Sequence, residues 1–284
     1  LRFTTTGGDA ERIAADACRQ PASERPRLIV ACGGDGTVQE VATALAQAAC
    51  EGETVPLMGL APAGRCNDFA RALNVPSDPQ RIAAVLMKGD AAPVDLGRIG
   101  TRCFCTVATL GVDAEVSRFV DTMRMPLRGT PAYVYGAIRV LMRYRPCRVR
   151  LEGDFGVLEQ AVFLASTANT PCYGGAIRIV PHADPTDGRL DLCLIDPLSR
   201  LRSLLLLPAV LRATHPALPE VKFVQTRGFR IETDKPAEIW ADGERIGSTP
   251  ATVEVIPGAI RVLHPTPANR GDTSVEAKPG AAVR

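Results

Sequence analysis

The feature that most constrains the fold is an apolar run that ends in glycines and is followed by a helical pattern. Residues 28–32 form a continuous apolar run, which is typical of a strand buried on both faces. The turn Gly33-Gly34-Asp35-Gly36-Thr37 follows directly, and residues 38–49 place apolar side chains at helical spacing. A strand, a glycine turn and a helix in this order predict a parallel α/β sheet.

A second unit of the same kind follows. Residues 55–60 predict another strand, and a Pro-Gly turn leads to a helix that begins at Asn67-Asp68. In a parallel sheet both turns lie at the carboxyl edge, where ligands bind, so the pair indicates a nucleotide cleft. Two simpler alternatives stay open. The glycine turn is also compatible with a strand-to-helix connection that binds no ligand, and Asn67 is compatible with a residue that only caps the helix.

The rest of the chain predicts a second domain. With 284 residues the chain is long enough for two domains, and strand–helix alternation gives way after about residue 93 to short β-rich runs, among them 103–109, 161–166, 252–256 and 260–264. We predict an α/β N-terminal domain with a parallel sheet (1–92), then a mostly antiparallel β-sandwich-like domain (93–265) and a flexible tail (266–284). Helical insertions are expected near 132–144 and 201–213.

Charge and cysteine content exclude several classes of protein. The 33 basic and 31 acidic residues give a net charge of +2, which argues against non-specific nucleic-acid binding. The nine cysteines are odd in number and include no Cys-x-x-Cys pair, which favours a reduced, cytoplasmic protein without a zinc site. No run of 18 apolar residues predicts a membrane span.

Several motifs in one order make the sequence recognisable. The glycine turn and the Pro-x-Gly-x-x-Asn-Asp-Phe-Ala segment are followed by Asp95-Leu96-Gly97, Tyr173-Gly174-Gly175, Asp187-Gly188-Arg189 and Asp242-Gly243-Glu244. From Thr4 to Pro265 the chain resembles the diacylglycerol kinase catalytic-domain family, which includes bacterial lipid kinases and sphingosine kinases. The resemblance implies that the first domain holds the nucleotide and that lipid enters the cleft between the domains.

The resemblance also implies roles for individual residues. Those implied to bind ATP are Thr4, Gly33, Gly34, Asp35, Gly36, Thr37, Gly64, Arg65 and Asn67. Those implied to take part in Mg²⁺ binding are Asp35, Asp68 and Asp95, together with a structural site made by Asp187 and the main-chain carbonyls of Asp184 and Arg189. Asp242 matches the general base, with Glu244 close by. Spacing alone favours a simple turn for both Asp187-Gly188 and Asp242-Gly243.

The sequence departs from the family pattern at two points. Family members usually begin with another strand and an Asn-Pro turn before the segment that matches residues 4–10, so the first strand is expected to be missing. Arg65 stands where many members carry threonine, which leaves the phosphate donor open.

The resulting hypothesis is an ATP- and Mg²⁺-dependent lipid kinase, with diacylglycerol as the expected acceptor and phosphatidic acid as product. Its implied partner is a lipid at the membrane surface, with peripheral association of the enzyme, and homodimer formation is left open. The alternatives are an enzyme similar to NAD kinase and a non-catalytic lipid- or nucleotide-binding homologue.

Overall fold

The computed structural model describes residues 1–112, 114–116, 135, 138–141, 144–175 and 177–265. Its helices are α1 (Asp9–Cys18), α2 (Asp35–Cys50), α3 (Asp68–Ala72), α4 (Pro79–Lys88) and α5 (Arg200–Leu211), with a 3₁₀ turn at His215–Ala217. The strands are β1 (Leu28–Gly33), β2 (Leu57–Pro62), β3 (Asp90–Ile99), β4 (Arg102–Phe104), β5 (Val107–Gly111), β6 (Cys147–Gly153), β7 (Gly156–Val162), β8 (Leu164–Ala168), β9 (Leu190–Ile195), β10 (Val221–Thr226), β11 (Gly228–Thr233), β12 (Glu238–Ala241), β13 (Glu244–Ser248) and β14 (Ala251–His264).

The first sheet combines the parallel strands of the N-terminal half with strands from the end of the chain. β1 and β2 run parallel, as the sequence predicts, and β14 lies parallel to β2 on its other side. β14 also pairs antiparallel with β3 along most of its length, so the end of the chain is built into the first sheet. The predicted domain boundary at residue 92 falls inside β3.

The second sheet is antiparallel, with strand order β10-β9-β8-β5-β12-β13. Its inner face packs on the antiparallel part of the first sheet, because Leu110 and Leu192 share one buried cluster with Leu151, Ile231 and Val253. The predicted fold class is confirmed: an α/β unit with a parallel strand pair is followed by an antiparallel β-sandwich.

Some predicted elements were wrong in detail. The run 103–109 is not one strand, since β4 and β5 belong to different sheets. The backbone N–H groups of Cys105 and Thr106 donate to Asp242 instead of to a neighbouring strand. The run 161–166 likewise covers the end of β7 and the start of β8, whereas 252–256 and 260–264 form the single strand β14.

Two predicted segments lie partly or wholly outside the described residues, and three observed elements were not predicted. The helix predicted at 132–144 is described only at residues 135, 138–141 and 144, and the predicted tail lies outside the described residues. α1, β10 and β13 were not predicted. Among the described residues, no helix is both long and apolar enough to cross a membrane.

Candidate functional site

The glycine turn leaves the N-terminus of a long helix open to a ligand. Gly34 is the N-cap of α2, and no side chain caps the 16-residue helix. The N–H groups of the first helical turn therefore point outward together with the positive end of the helix dipole. Such a helix end binds anions such as phosphate.

The two predicted turns pack directly on each other at the carboxyl ends of β1 and β2. The N–H of Ala63 donates to the carbonyl of Gly33 at 2.9 Å. A Cβ atom added to Gly64 would lie 2.4 Å from the Cα of Gly34, so no larger residue fits there without a backbone shift. The structure thus brings the turns together as the parallel sheet predicts.

Asp35 connects these turns through hydrogen bonds. Its carboxylate accepts from the N–H of Asn67 at 2.9 Å and from the N–H of Phe69 at 3.5 Å. The Asn67 side chain does not cap α3; it makes two hydrogen bonds of 2.9 Å with the backbone of Gly64. Asp35 therefore fixes the shape of the second turn.

Asp68 links the first turn of α3 to the second half of the chain. Its buried carboxylate accepts from the N–H of Gly175, with both oxygens at 3.1 Å, and pairs with Arg71. Arg71 also donates to the carbonyl of Gly175 at 2.6 Å. Burial raises the pKa of Asp68, and the nearby charge of Asp35 raises it further.

Asp95 holds two loops by their backbone. One of its carboxylate oxygens accepts from Gly188 and the other from Gly258, each at 2.6 Å. The side chain is buried. Asp95 therefore connects the turn around Gly188 to β14 at Gly258, where this strand is irregular.

The loop with the predicted structural metal site is organised by hydrogen bonds to its own aspartates, one of them from β10. Asp187 accepts from the N–H of Arg189 and from the side chain of Gln225, each at 2.9 Å. Asp184 accepts from the N–H of Thr186 at 3.0 Å.

Within the described ranges, no three or more His, Cys, Asp or Glu side chains are grouped so that they could hold a metal ion. The association of Asp35, Asp68 and Asp95 with Mg²⁺ and its water network stays a prediction. A site that uses main-chain carbonyls beside Asp187 is a different kind of site, and it stays a prediction.

Asp242 lies at the tip of the hairpin between β12 and β13. Asp242 and Gly243 have φ angles of 51° and 88°, the left-handed conformation that a tight hairpin turn requires. The Asp242 carboxylate accepts from the N–H of Cys105 at 2.7 Å, and from both the N–H at 3.0 Å and the hydroxyl of Thr106. The Asp-Gly pair therefore forms the tight turn that its spacing predicts, and this turn holds the Asp242 carboxylate in a fixed position.

The environment of Asp242 shifts its acidity. Burial raises the pKa to about 6, the donors from Cys105 and Thr106 oppose this, and the charge of Asp35 adds to it. A carboxylate with a pKa near neutrality is suited to accept a proton from a substrate.

Glu244 brings the hairpin next to the glycine turn. Its Oε1 lies 3.5 Å from the position of a Cβ atom added to Gly36, and its Oε2 lies 3.2 Å from Nη2 of Arg102. The hairpin of the second sheet and the helix N-terminus of the first half therefore face each other in one cleft. Sequence reasoning missed Arg102 and Thr106, and no motif marks either residue.

Thr4 and Arg65 lie at the periphery of this arrangement. Both are exposed, and neither has a hydrogen-bond or ion-pair partner in the part of the chain that is described. The segment after Thr4 is held to α2 by Glu40, whose carboxylate accepts from the N–H groups of Gly8 at 2.7 Å and Ala10 at 2.9 Å.

Comparisons with known proteins agree with this arrangement. Residues 1–99 match the family model of the diacylglycerol kinase catalytic domain, and residues 106–264 match the YegS C-terminal NAD kinase beta sandwich-like domain. A diacylglycerol kinase of Mycobacterium tuberculosis is 34% identical over 84% of this chain and 76% of its own length. The chain belongs to the diacylglycerol kinase catalytic-domain family.

Further relatives extend over more of the chain. A diacylglycerol kinase of Bacillus subtilis is 27% identical over 92% of this chain and 84% of its own length. A probable lipid kinase YegS-like of Stenotrophomonas maltophilia is 29% identical over 93% of this chain and 86% of its own length.

The crystal structure of a putative diacylglycerol kinase from Bacillus anthracis has the same fold. Its TM-score is 0.76 at 24% identity, over 93% of this chain and 85% of that one. As a member of this family the protein is a lipid kinase, which is a transferase.

Proposed function

We propose that this lipid kinase transfers the γ-phosphoryl group of ATP to the free hydroxyl of diacylglycerol and so forms phosphatidic acid. The observation that carries the proposal is the position of Asp242. Its half-buried carboxylate, with a pKa raised to about 6, lies in the cleft that the open N-terminus of α2 also faces.

The first half of the site suits the phosphates of a nucleotide. The N–H groups at the start of α2 supply donors, and Gly36 has no side chain that would keep a phosphate away from them. Gly34 and Gly64 pack too closely for side chains, which holds the second turn against the first. Arg65 is exposed and has no partner among the described residues, so its guanidinium is free to reach phosphate oxygens.

The second half of the site suits an acceptor hydroxyl. The hydrogen bonds from Cys105 and Thr106 fix the Asp242 carboxylate. Oδ1 accepts two of them from Thr106, whereas Oδ2 accepts only one, from Cys105, and keeps a lone pair for the acceptor hydroxyl. As the hydroxyl oxygen bonds to the γ-phosphorus and the bond to the leaving ADP oxygen breaks, the hydroxyl proton passes to Asp242. Glu244 holds Arg102 beside the glycine turn, where its positive charge favours the transferred group.

The acidic residues fit a hard divalent cation through their donor chemistry. Carboxylate and carbonyl oxygens are the ligands that Mg²⁺ prefers, often together with water. Asp35 is half-buried and closest to the phosphate-binding turn, so it is the residue we propose to face the cation. When bound, Mg²⁺ neutralises phosphate charge. Asp68 and Asp95 support this site by fixing the loops around it.

The lipid acceptor and the membrane as partner are inferred from the family. Two of the relatives reported above are named diacylglycerol kinase, and a third is named as a probable lipid kinase. Diacylglycerol stays in the bilayer, so we propose that the enzyme acts as a peripheral protein at the membrane surface.

A panel of acceptors tests the proposed reaction. The protein is incubated with labelled ATP and Mg²⁺, together with diacylglycerol, phosphatidylglycerol, sphingosine or NAD, and the products are separated. The proposal expects label in phosphatidic acid. Label only in another lipid would identify that lipid, and not diacylglycerol, as the acceptor. Label in NAD would favour an enzyme similar to NAD kinase. The absence of any labelled product would contradict the proposed activity.

A further inference from the structure

Helix α5 presents an apolar stripe to solvent on the side that faces away from the β-sandwich. Leu201 and Leu205 are 70% and 61% exposed, and the exposed Pro208 continues the stripe one turn further. The opposite side of the helix packs into the protein through Ser203 and Leu206, which are buried. A two-turn stripe of large apolar side chains exceeds what packing of this helix requires.

Positive charge surrounds this stripe. Arg200 lies at the start of α5 and Arg212 directly after its end; both are exposed and neither has an ion-pair partner among the described residues. Arg202 is exposed as well but pairs with Glu220 at 2.7 Å. An exposed apolar stripe that begins and ends at arginines has the character of a helix that lies in a membrane interface.

The charge distribution of the chain separates this region from the rest. Residues 122–146 contain five arginines and residues 197–219 contain three, and neither segment contains an acidic residue or a lysine. The remaining chain holds 25 basic and 31 acidic residues, a net charge of −6, although the whole chain carries +2. The positive charge of the sequence is thus concentrated in the two segments, and their described arginines, Arg139, Arg145, Arg200, Arg202 and Arg212, are exposed. Exposed basic side chains of this kind attract anionic lipids.

The two segments meet on one layer of the fold. Val140 and Leu141 from the first segment and Leu206 and Val210 from α5 pack on the same buried cluster over the outer face of the second sheet. Ile138, which is 43% exposed, and the exposed Arg139 add to the outer surface beside them.

The same layer reaches the catalytic cleft. Tyr173 and Ile177 pack on the cluster that also holds Leu206. Their loop contains Gly175, whose N–H binds Asp68 in the first half of the chain. A bilayer against this layer would therefore lie next to the loop that binds Asp68 at the start of α3.

We propose that the outer stripe of α5, made by Leu201, Leu205 and Pro208 and bordered by Arg200 and Arg212, docks the enzyme on anionic membranes. The leucines enter the interface between headgroups and acyl chains, and the arginines contact lipid phosphates. The proposal rests on the proposed function only in that a membrane-bound acceptor gives the docking its purpose.

Vesicle cosedimentation of the full chain without nucleotide tests the docking separately from turnover. The vesicles contain phosphatidylcholine alone or three parts phosphatidylcholine and one part phosphatidylglycerol. The wild type is expected to bind the anionic vesicles. Leu201→Ser/Leu205→Ser and Arg200→Ser/Arg212→Ser are each expected to weaken this binding about tenfold or more. Met87→Ser/Val157→Ser removes two exposed apolar side chains elsewhere and is the matched control, with binding unchanged.

Several results would overturn the proposal. These are a wild type that does not bind anionic vesicles, equal binding by the leucine variant, or equal weakening by the control. A sedimentation-equilibrium dimer that dissociates in the leucine variant, with vesicle binding unchanged, would show that a second copy covers the stripe. If the vesicle results hold but no lipid is phosphorylated, the proposed function fails and the docking surface stands.

Activity provides a second readout for the same variants. With diacylglycerol in anionic vesicles the leucine variant is expected to show a KM raised several-fold. With a short-chain, water-soluble diacylglycerol its kcat is expected to match the wild type. An equal loss on both acceptors would indicate damage to the catalytic cleft and would contradict docking by α5.

Discussion

Thr106 donates two hydrogen bonds to the same carboxylate oxygen of Asp242, one from its backbone N–H and one from its hydroxyl. The two residues are 136 positions apart and lie where β5 begins and where the β12–β13 hairpin turns. The contact explains why the chain leaves the strand conformation between β4 and β5. It also fixes the carboxylate on which the proposed chemistry depends.

The titration of Asp242 should set the pH dependence of turnover. Asp242 accepts a proton only when it is ionised, so kcat/KM should rise with pH through an apparent pKa of about 6. Thr106→Val removes the hydroxyl donor that stabilises the ionised form, so this limb should move to higher pH. A limb that stays in place in Thr106→Val would show that another group titrates.

Gly36 and Gly64 should respond differently to alanine. Gly36→Ala adds a methyl group at an ordinary 3.5 Å from Glu244, so the melting temperature should be kept while the KM for ATP rises at least several-fold. Gly64→Ala forces its Cβ to within 2.4 Å of the Gly34 backbone, so both stability and ATP affinity should fall. Equal ATP affinity in Gly36→Ala and the wild type would place the phosphates elsewhere.

Asp68 should matter for stability through its contact with Gly175. Asp68→Ala leaves the N–H of Gly175 without its acceptor and frees Arg71, which should cost about 1–3 kcal/mol in the free energy of unfolding. Chemical denaturation measures this loss. Asp78→Ala removes the cap of α4 and serves as the comparison. It should lower the free energy of unfolding by about 1 kcal/mol and leave the lipid KM unchanged.

The loop around Asp187 should bind Mg²⁺ as a structural ion. Added Mg²⁺ should raise the melting temperature of the wild type but not of Asp187→Ala, because a carboxylate is the principal ligand for a hard cation. Asp196→Ala removes a half-buried acid that pairs with Lys222 and serves as the control. Equal stabilisation of Asp187→Ala and the wild type by Mg²⁺ would show that Asp187 does not bind the ion.

Arg65 should contribute to ATP binding and not to lipid binding. A lost charged hydrogen bond is worth about 1.5–3 kcal/mol, so Arg65→Ala should raise the KM for ATP at least several-fold and leave the lipid KM unchanged. Arg81→Ala, at an exposed position of α4, is the matched control. A defect confined to the lipid KM would place Arg65 outside the nucleotide site.

Local patterns were enough to predict much of the first half of the fold. β1 is a continuous apolar run, α2 has apolar residues at helical spacing, and glycines mark the turn between them. The Asp242-Gly243 pair predicted a hairpin turn for the same local reason. These features depend on neighbouring residues only.

Contacts between distant residues could not be predicted in the same way. The resemblance implies a Mg²⁺ role for Asp95, but nothing in the sequence indicates that its carboxylate accepts from Gly188 and Gly258, which are 93 and 163 positions away. No motif marks Thr106, because its role depends on the position of Asp242, which is distant in the sequence. β10 was missed because Lys222 and Gln225 interrupt its apolar pattern, although pairing with β9 fixes it as a strand.

The most direct test of the central claim is the rate of phosphoryl transfer from labelled ATP to diacylglycerol by Asp242→Asn and the wild type. Asparagine keeps the size of the side chain but cannot accept the hydroxyl proton. We predict a rate lowered about 10²- to 10⁴-fold with ATP affinity close to that of the wild type, whereas the melting temperature should fall because the amide leaves one of the two backbone N–H donors without an acceptor. Transfer by a folded Asp242→Asn at a rate close to the wild type would contradict the assignment of Asp242 as the base.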